Sequence, residues 1–256
     1  MMKDYILEVC VDSVESAIAA VRGGAQRLEL CANLVIGGTT PSVSQFKQIR
    51  KACDIPINVL VRPRYGDFLY TDYEFQMIAE DALMFRELGA DGIVAGFLKP
   101  DGNLDVERLK VLKEKVGNGS MTLHRAFDVC RDPYKSLEEA IEAGADTILT
   151  SGQQNTCFEG RALLGELIRK AEGRIDIMAG SGVNVSTMAC LMDEIGARIF
   201  HMSGKEIVDS GMIYRKENVS MGIPGIGEYD IFRTREEEIR QAKKLMEEKA
   251  CLRKNV

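Results

Sequence analysis

The 256-residue chain contains two histidines. One lies in Met121-Thr122-Leu123-His124-Arg125-Ala126-Phe127-Asp128, where an apolar, strand-like run ends in an imidazole, a guanidinium and a carboxylate. Side chains of these types can exchange a proton near neutral pH and hold an anion. The other, His201, ends the run Arg198–His201, with Ser203 and Gly204 just beyond. Glu8 and Cys10 alternate with Leu7, Val9 and Val11, and Glu29 and Cys31 alternate with Leu28 and Leu30. Arg62 follows the run Ile57–Val61, and Arg64 stands two positions later. Burying ionisable groups costs several kcal/mol for each charge left unpaired. If these residues converge, function is therefore the better explanation than packing.

The elements that must position them alternate along the whole chain. Apolar runs suited to strands are Ile6–Val11, Arg27–Cys31, Ile57–Val61, Gly92–Ala95, Met121–Arg125, Thr147–Leu149, Asp176–Ala179 and Arg198–His201. Amphipathic helical patterns separate them: Val14–Arg22, Phe46–Ala52, Glu74–Leu88, Val106–Val116, Lys135–Ala143, Ala162–Ala171 and Thr187–Ile195. Strand–helix alternation predicts parallel βαβ units, and eight of them predict an α/β fold, a (β/α)8 TIM barrel. An internal repeat agrees. Gly24-Ala25, Gly89-Ala90, Gly144-Ala145 and Gly196-Ala197 each close a helix before the second, fourth, sixth and eighth strands, with glycine as the helix stop. Asp12-x-x-Glu15 and Thr71-x-x-Glu74 read as capping boxes. No shift in composition marks a linker, so residues 1–256 are expected to form a single domain. Within it, residues 204–232 would be a long irregular loop and 233–250 a closing helix with an exposed Glu236–Arg240 pair.

Strand parity then sorts the side chains, because successive residues point to opposite faces. The apolar sets must meet the helices, which sends Glu8, Cys10, Glu29, Cys31, Arg62, His124 and His201 inward. Glu8 and Arg62 could form a structural ion pair. Arg125, Asp128 and Arg64 fall at the rim, where arginines suit a carboxylate or phosphate. Ser151 after the sixth strand, Gly180-Ser181-Gly182 after the seventh and Ser203-Gly204 after the eighth offer hydroxyls and backbone N–H groups for an anion. The segment Arg62–Tyr70 reads equally as a lid or a packed surface loop. In the enzymatic reading, His124 is a general acid or base held by Asp128 or a glutamate, and Glu8 or Glu29 is its partner. His201 completes the proton-transfer set. The substrate would be a small anionic metabolite, phosphorylated or not, and its reaction class stays open.

Composition narrows the partners. The net charge of -6 and the absence of a basic stripe argue against nucleic acid. No run is long and apolar enough for a membrane span, which points to a cytoplasmic protein. Seven cysteines without a CxxC pair are expected as thiols. Gly222-Ile223-Pro224-Gly225-Ile226-Gly227 follows no strand and is not a nucleotide fingerprint.

Several of these segments also carry a resemblance. Glu8-Val9-Cys10-Val11-Asp12, Glu29-Leu30-Cys31-Ala32-Asn33, Val61-Arg62-Pro63-Arg64, Gly66-Asp67-Phe68, Asp91-Gly92-Ile93-Val94, His124-Arg125-Ala126-Phe127-Asp128, Ile148-Leu149-Thr150-Ser151-Gly152 and Met178-Ala179-Gly180-Ser181-Gly182-Val183 resemble the CutC copper homeostasis family. The resemblance runs from about Tyr5 to Ser203. It implies a cytoplasmic, homo-oligomeric single-domain barrel with a role in copper tolerance or Cu(I) handling. Cys10 and Cys31 are the soft ligands such an ion would use, with His124 or His201 as a third. Two small inward hydrophobes are the alternative reading of the same thiols.

Overall fold

The computed structural model describes residues 5–219, 221–222 and 225–254. Strands and helices alternate from the start: β1 (Ile6–Val11), α1 (Val14–Gly23), β2 (Arg27–Leu30), α2 (Val43–Ala52), β3 (Ile57–Leu60) and α3 (Asp72–Glu87). They continue as β4 (Gly92–Ala95), α4 (Val106–Val116), β5 (Ser120–Leu123), α5 (Pro133–Glu142), β6 (Thr147–Thr150) and α6 (Arg161–Ala171). The last unit is β7 (Asp176–Ala179), α7 (Val185–Glu194) and β8 (Ile199–Met202). All eight strands pair in parallel, and β8 returns to β1, closing the barrel. The expected (β/α)8 TIM barrel is therefore the fold.

Strand parity works as anticipated. Leu7, Val9, Val11, Leu28, Leu30, Ile57, Val59, Ile93, Leu123, Ile148 and Phe200 are buried in the main core between strands and helices. The inner face holds smaller apolar groups, Leu60 with Val94 and Cys31, and Leu149 with Met178 and Ile199. The four Gly-Ala stops are built alike. Gly24, Gly89, Gly144 and Gly196 all have φ between 69° and 99°, the left-handed turn that frees the chain to enter the next strand.

Helix starts divide. Thr71 and Glu74 form the reciprocal cap at α3. At α1 the cap is Ser13, whose hydroxyl accepts from Ser16 N. Asp12 does not cap, because its carboxylate reaches across to Leu34 N.

The largest departure from expectation follows β8. Instead of an irregular loop, β9 (Lys205–Asp209) and β10 (Asp230–Thr234) form an antiparallel ribbon, with Lys205 opposite Thr234 and Asp209 opposite Asp230. Every residue of β9 is exposed, so the hydrophobic patterning that marks a half-buried strand was not there to read. Of the Gly222–Gly227 stretch, Ile223 and Pro224 lie outside the described residues. The final helix, α8 (Glu236–Lys254), starts later and runs further than expected. It packs so closely on α1 that a Cβ on Gly23 would meet Ile239 at 2.6 Å. The Glu236–Arg240 pair is present.

Candidate active site at the mouth of the barrel

Register builds the site. Glu8 on β1 is level with Arg27 on β2 and with His201 on β8, so the three side chains form one row inside the barrel. One Glu8 oxygen accepts from Arg27 Nε at 2.5 Å and the other lies 2.8 Å from His201 Nδ1. Asn58 adds a longer contact of 3.4 Å. Burial alone would protonate Glu8, but Arg27 and His201 outweigh it and hold the carboxyl down at about 2. For His201, burial works against the cation, yet Cys10, Glu29 and Glu8 around it raise its pKa well above the usual value. The row is a compensated ion network at the bottom of the site.

One layer higher, Glu29 is level with Cys10. It is buried, and its Oε2 has no hydrogen-bond partner. Burial, with help from the nearby Glu8 charge, pushes its pKa up to about 7, against the opposing pull of His201 and Arg27. Among the described residues, Glu8, Glu29 and His201 are the group whose ligand atoms approach within 4.8 Å of one another, as a bound cation would require. Two of the three already neutralise each other through the Glu8–His201 contact.

His124 extends from the end of β5, three strands round the barrel from β2. A strand to Leu123 gives way to a 3-10 turn over Arg125–Val129, and His124 caps it, its Nδ1 accepting from Ala126 N at 3.1 Å. Its ring packs against Phe68 with centroids 4.7 Å apart and the planes tilted by 50°, and the Arg62 guanidinium lies over the same Phe68 ring. Gly96 on the neighbouring strand end makes the space, since a Cβ there would sit 2.7 Å from Nδ1. Burial first, then the Arg62 charge, lower the His124 pKa to about 3. The ring is neutral at physiological pH, and with Nδ1 accepting, its proton is on Nε2. That buried N–H has no partner. Held in this way, His124 offers a neutral hydrogen-bond donor.

These groups surround one cavity of about 440 Å³, lined among others by Cys10, Glu29, Cys31, Arg62, Phe68, His124 and His201. Its mouth is edged by Arg125, Ser181, Gly182, Ser203 and Lys205. It sits at the C-terminal end of the strands, the end where barrel enzymes carry their sites.

Other expected residues do different work. Arg62 does not pair with Glu8; its terminal nitrogens donate to Gly37 O, Gly38 O and Gly66 O, fastening two loops over the site. Arg64 turns away to Glu74, Asp67 and Leu69 O. It is the clasp of the Arg62–Tyr70 loop rather than an anion ligand. Asp128 does not hold His124. Its carboxylate receives Thr150 Oγ1, Ser151 N and Oγ, Gln153 N and Arg125 Nε, joining the β5 and β6 ends. Ser151 is consumed in that joint. Gly180 makes room for Leu149 and Gly204 for Ile239, so both serve packing. Arg27, the main partner of Glu8, was not singled out from the sequence. The parity that turned Glu29 and Cys31 inward also turns Arg27 inward and was the available signal.

Cys10 and Cys31 both face the cavity. Being one strand apart and two positions offset, their Cα atoms are roughly 8 Å apart by strand geometry. That exceeds the reach of a disulfide, about 7 Å. The Cys31 thiol points at Val11 O, and burial, then Cys10 and acidic neighbours, push its pKa well above the usual thiol value.

Comparison with known proteins agrees with this architecture. A model of the CutC family matches residues 5–206. The chain belongs to the CutC family. A family protein CutC from Bacteroides fragilis is 49% identical over 222 residues, 86% of this chain and 88% of that one. A human relative named copper homeostasis protein cutC homolog is 42% identical over 218 residues, covering 85% of this chain and 80% of that one. The crystal structure of a CutC protein from Streptococcus agalactiae superposes with a TM-score of 0.74 at 30% identity, over 78% of this chain and 98% of that one. The CutC family match ends at Glu206, within β9, so the rest of the ribbon lies beyond it.

Proposed function

We propose that this CutC-family barrel is an enzyme acting on a small anionic metabolite by acid–base chemistry at its C-terminal mouth. One observation carries the reading: Glu29 and His124, which line one cavity, each bury a polar atom with no partner. A buried unsatisfied polar group costs about 1–3 kcal/mol, and a ligand that binds both removes that cost. Arg62, Arg125 and Lys205 around the same cavity suit a ligand with a negative end. Glu29 is the group to exchange protons, and His201 with Glu8 sets the field beneath it. Thermal-shift and ligand-observed NMR with a panel of hydroxy acids, oxo acids and sugar phosphates test the proposal. A ligand should stabilise the parent protein and lose at least about tenfold in affinity in Glu29→Gln and Arg62→Gln. Equal binding to all three proteins would reject it.

A second reading follows the names of the relatives and the two thiols that share the cavity. Cu(I) would bind Cys10 and Cys31, with His201 as third ligand, displacing the Cys31 proton. Competition against a Cu(I) chelator should then show a loss of at least about 100-fold for the Cys10→Ser/Cys31→Ser protein. Unchanged affinity rejects this site. The absence among the described residues of any helix able to cross a membrane, together with seven free cysteines, supports a cytoplasmic location for either reading. A homo-oligomer is the assembly we assign, on the exposed apolar residues of the ribbon.

A further inference from the structure

Two residues that line the same cavity each bury an unpartnered atom, and the two atoms are of opposite character. Glu29 Oε2 on the β2 side is an acceptor, and His124 Nε2–H on the β5 side is a donor. The tautomer follows from geometry, since Nδ1 is already occupied as an acceptor from Ala126 N. Phe68 packed against the imidazole and Gly96 behind it fix the ring, and Arg62 places a permanent positive charge beside it. An acceptor and a neutral donor in the lining of one cavity, with a cation next to the donor, suit a reaction in which a proton leaves carbon while negative charge grows on a nearby oxygen.

We propose that the site enolises a small α-hydroxy carbonyl compound or 2-oxo acid. This deepens the small-molecule reading above and rests on it. In the step, the proton on the carbon next to the carbonyl passes to Glu29 Oε2. The C–H electron pair becomes the new C=C bond, and the carbonyl π pair moves onto oxygen. The resulting enolate oxygen accepts from His124 Nε2–H beside the Arg62 charge. Return of the proton to the same carbon exchanges it with solvent, and return to the former carbonyl carbon of an α-hydroxy carbonyl compound, with the hydroxyl proton passing to the enolate oxygen, gives the isomer. Neither outcome needs an oxidant or a second reactant. A neutral imidazole suits this role because it stabilises the enolate without surrendering its proton. The cavity of about 440 Å³ fits a compound of sugar-phosphate size or smaller, with its anionic end at the mouth.

The test compares two probes, glycolohydroxamate, which mimics an enediolate, and glycolamide, which mimics the unreacted carbonyl. Both are titrated by calorimetry with EDTA present, so that metal chelation plays no part. The hydroxamate should bind the parent protein at least about 100-fold more tightly. That preference should vanish in Glu29→Gln and in His124→Phe, with circular dichroism showing both variants folded. Equal binding of the two probes, or a preference that survives both substitutions, overturns the enolisation proposal and leaves small-molecule binding standing. Binding of neither probe overturns the enolisation proposal, and failure of every compound of the panel above to bind overturns the small-molecule reading as well.

Discussion

Glu29 and His124 pull the acid stability of the protein in opposite directions. Glu29 has its pKa raised from 4.5 to about 7 in the fold, so the folded protein holds a proton that the unfolded chain releases. Its contribution therefore declines as pH rises from 4.5 to 7. His124 has its pKa lowered from 6.5 to about 3, so the unfolded chain takes up a proton that the folded one refuses. Its contribution declines as pH falls from 6.5 towards 3. Each effect is on the order of 3 to 5 kcal/mol at its limit. Between pH 4.5 and 6.5 they cancel in the parent protein. Urea denaturation at pH 5, 6 and 7 should show Glu29→Gln losing stability on acidification and His124→Phe losing it on alkalinisation. Parallel pH profiles for the two variants would refute the assignment. Below them, Arg27→Leu should cost about 3–5 kcal/mol, because it leaves the Glu8 carboxylate buried with only His201 and the long Asn58 contact. A loss under 1 kcal/mol would show that His201 suffices.

The elements explain why the site is held so firmly. β5 stops at Leu123, and the 3-10 turn that follows is fixed at both ends, by His124 Nδ1 and by the Asp128 joint to β6. The Arg62–Tyr70 loop is clasped by Arg64 and brings Phe68 onto His124. The end of β4 contributes only space. Gly96→Ala keeps an ordinary backbone conformation but places a methyl 2.7 Å from His124 Nδ1 and 2.9 Å from Ala126 Cβ. The substitution should cost about 1–3 kcal/mol and displace the imidazole. Ligand affinity should fall at least about tenfold, measured with whichever panel compound binds the parent protein. An unchanged affinity would mean that the ring can shift without consequence.

At the scale of the molecule, the barrel and the ribbon are separable in their physics. The barrel is closed by β8 on β1 and by α8 on α1. The ribbon leaves the mouth of the cavity at Lys205 and returns through Thr234, which is tied to Ser16 and Ser203. Between these points Ile207, Met212, Ile213 and Tyr214 are exposed. The triple change Ile207→Ser, Ile213→Ser, Tyr214→Ser should move Tm by no more than about 2 °C, since it removes no buried contact. If the proposed homo-oligomer uses this ribbon, sedimentation should show a smaller assembly than the parent. A monomeric parent would reject the oligomer, and an unchanged mass would reject the ribbon as its contact.

The division between sequence and tertiary structure follows the range of the forces involved. Alternation of Leu7, Val9 and Val11 against Glu8 and Cys10, and the repeated Gly-Ala stops, are local patterns. They determined the barrel, its strands and which side chains face inward, because burial acts on every second residue of a strand. The same parity contained Arg27, although it was not taken from it. Which inward groups pair was decided only by register between strands distant in sequence: Glu8 level with Arg27 and His201, and not with Arg62. Rim residues were harder still. Arg64 and Asp128 carry the right chemistry for a ligand, but loops bend them towards nearer partners, and no periodicity records where a loop turns. The exposed ribbon left no apolar alternation to read. The neutral state of His124 arises from burial, Arg62 and a turn N–H meeting at one ring, and only the folded chain brings those three together.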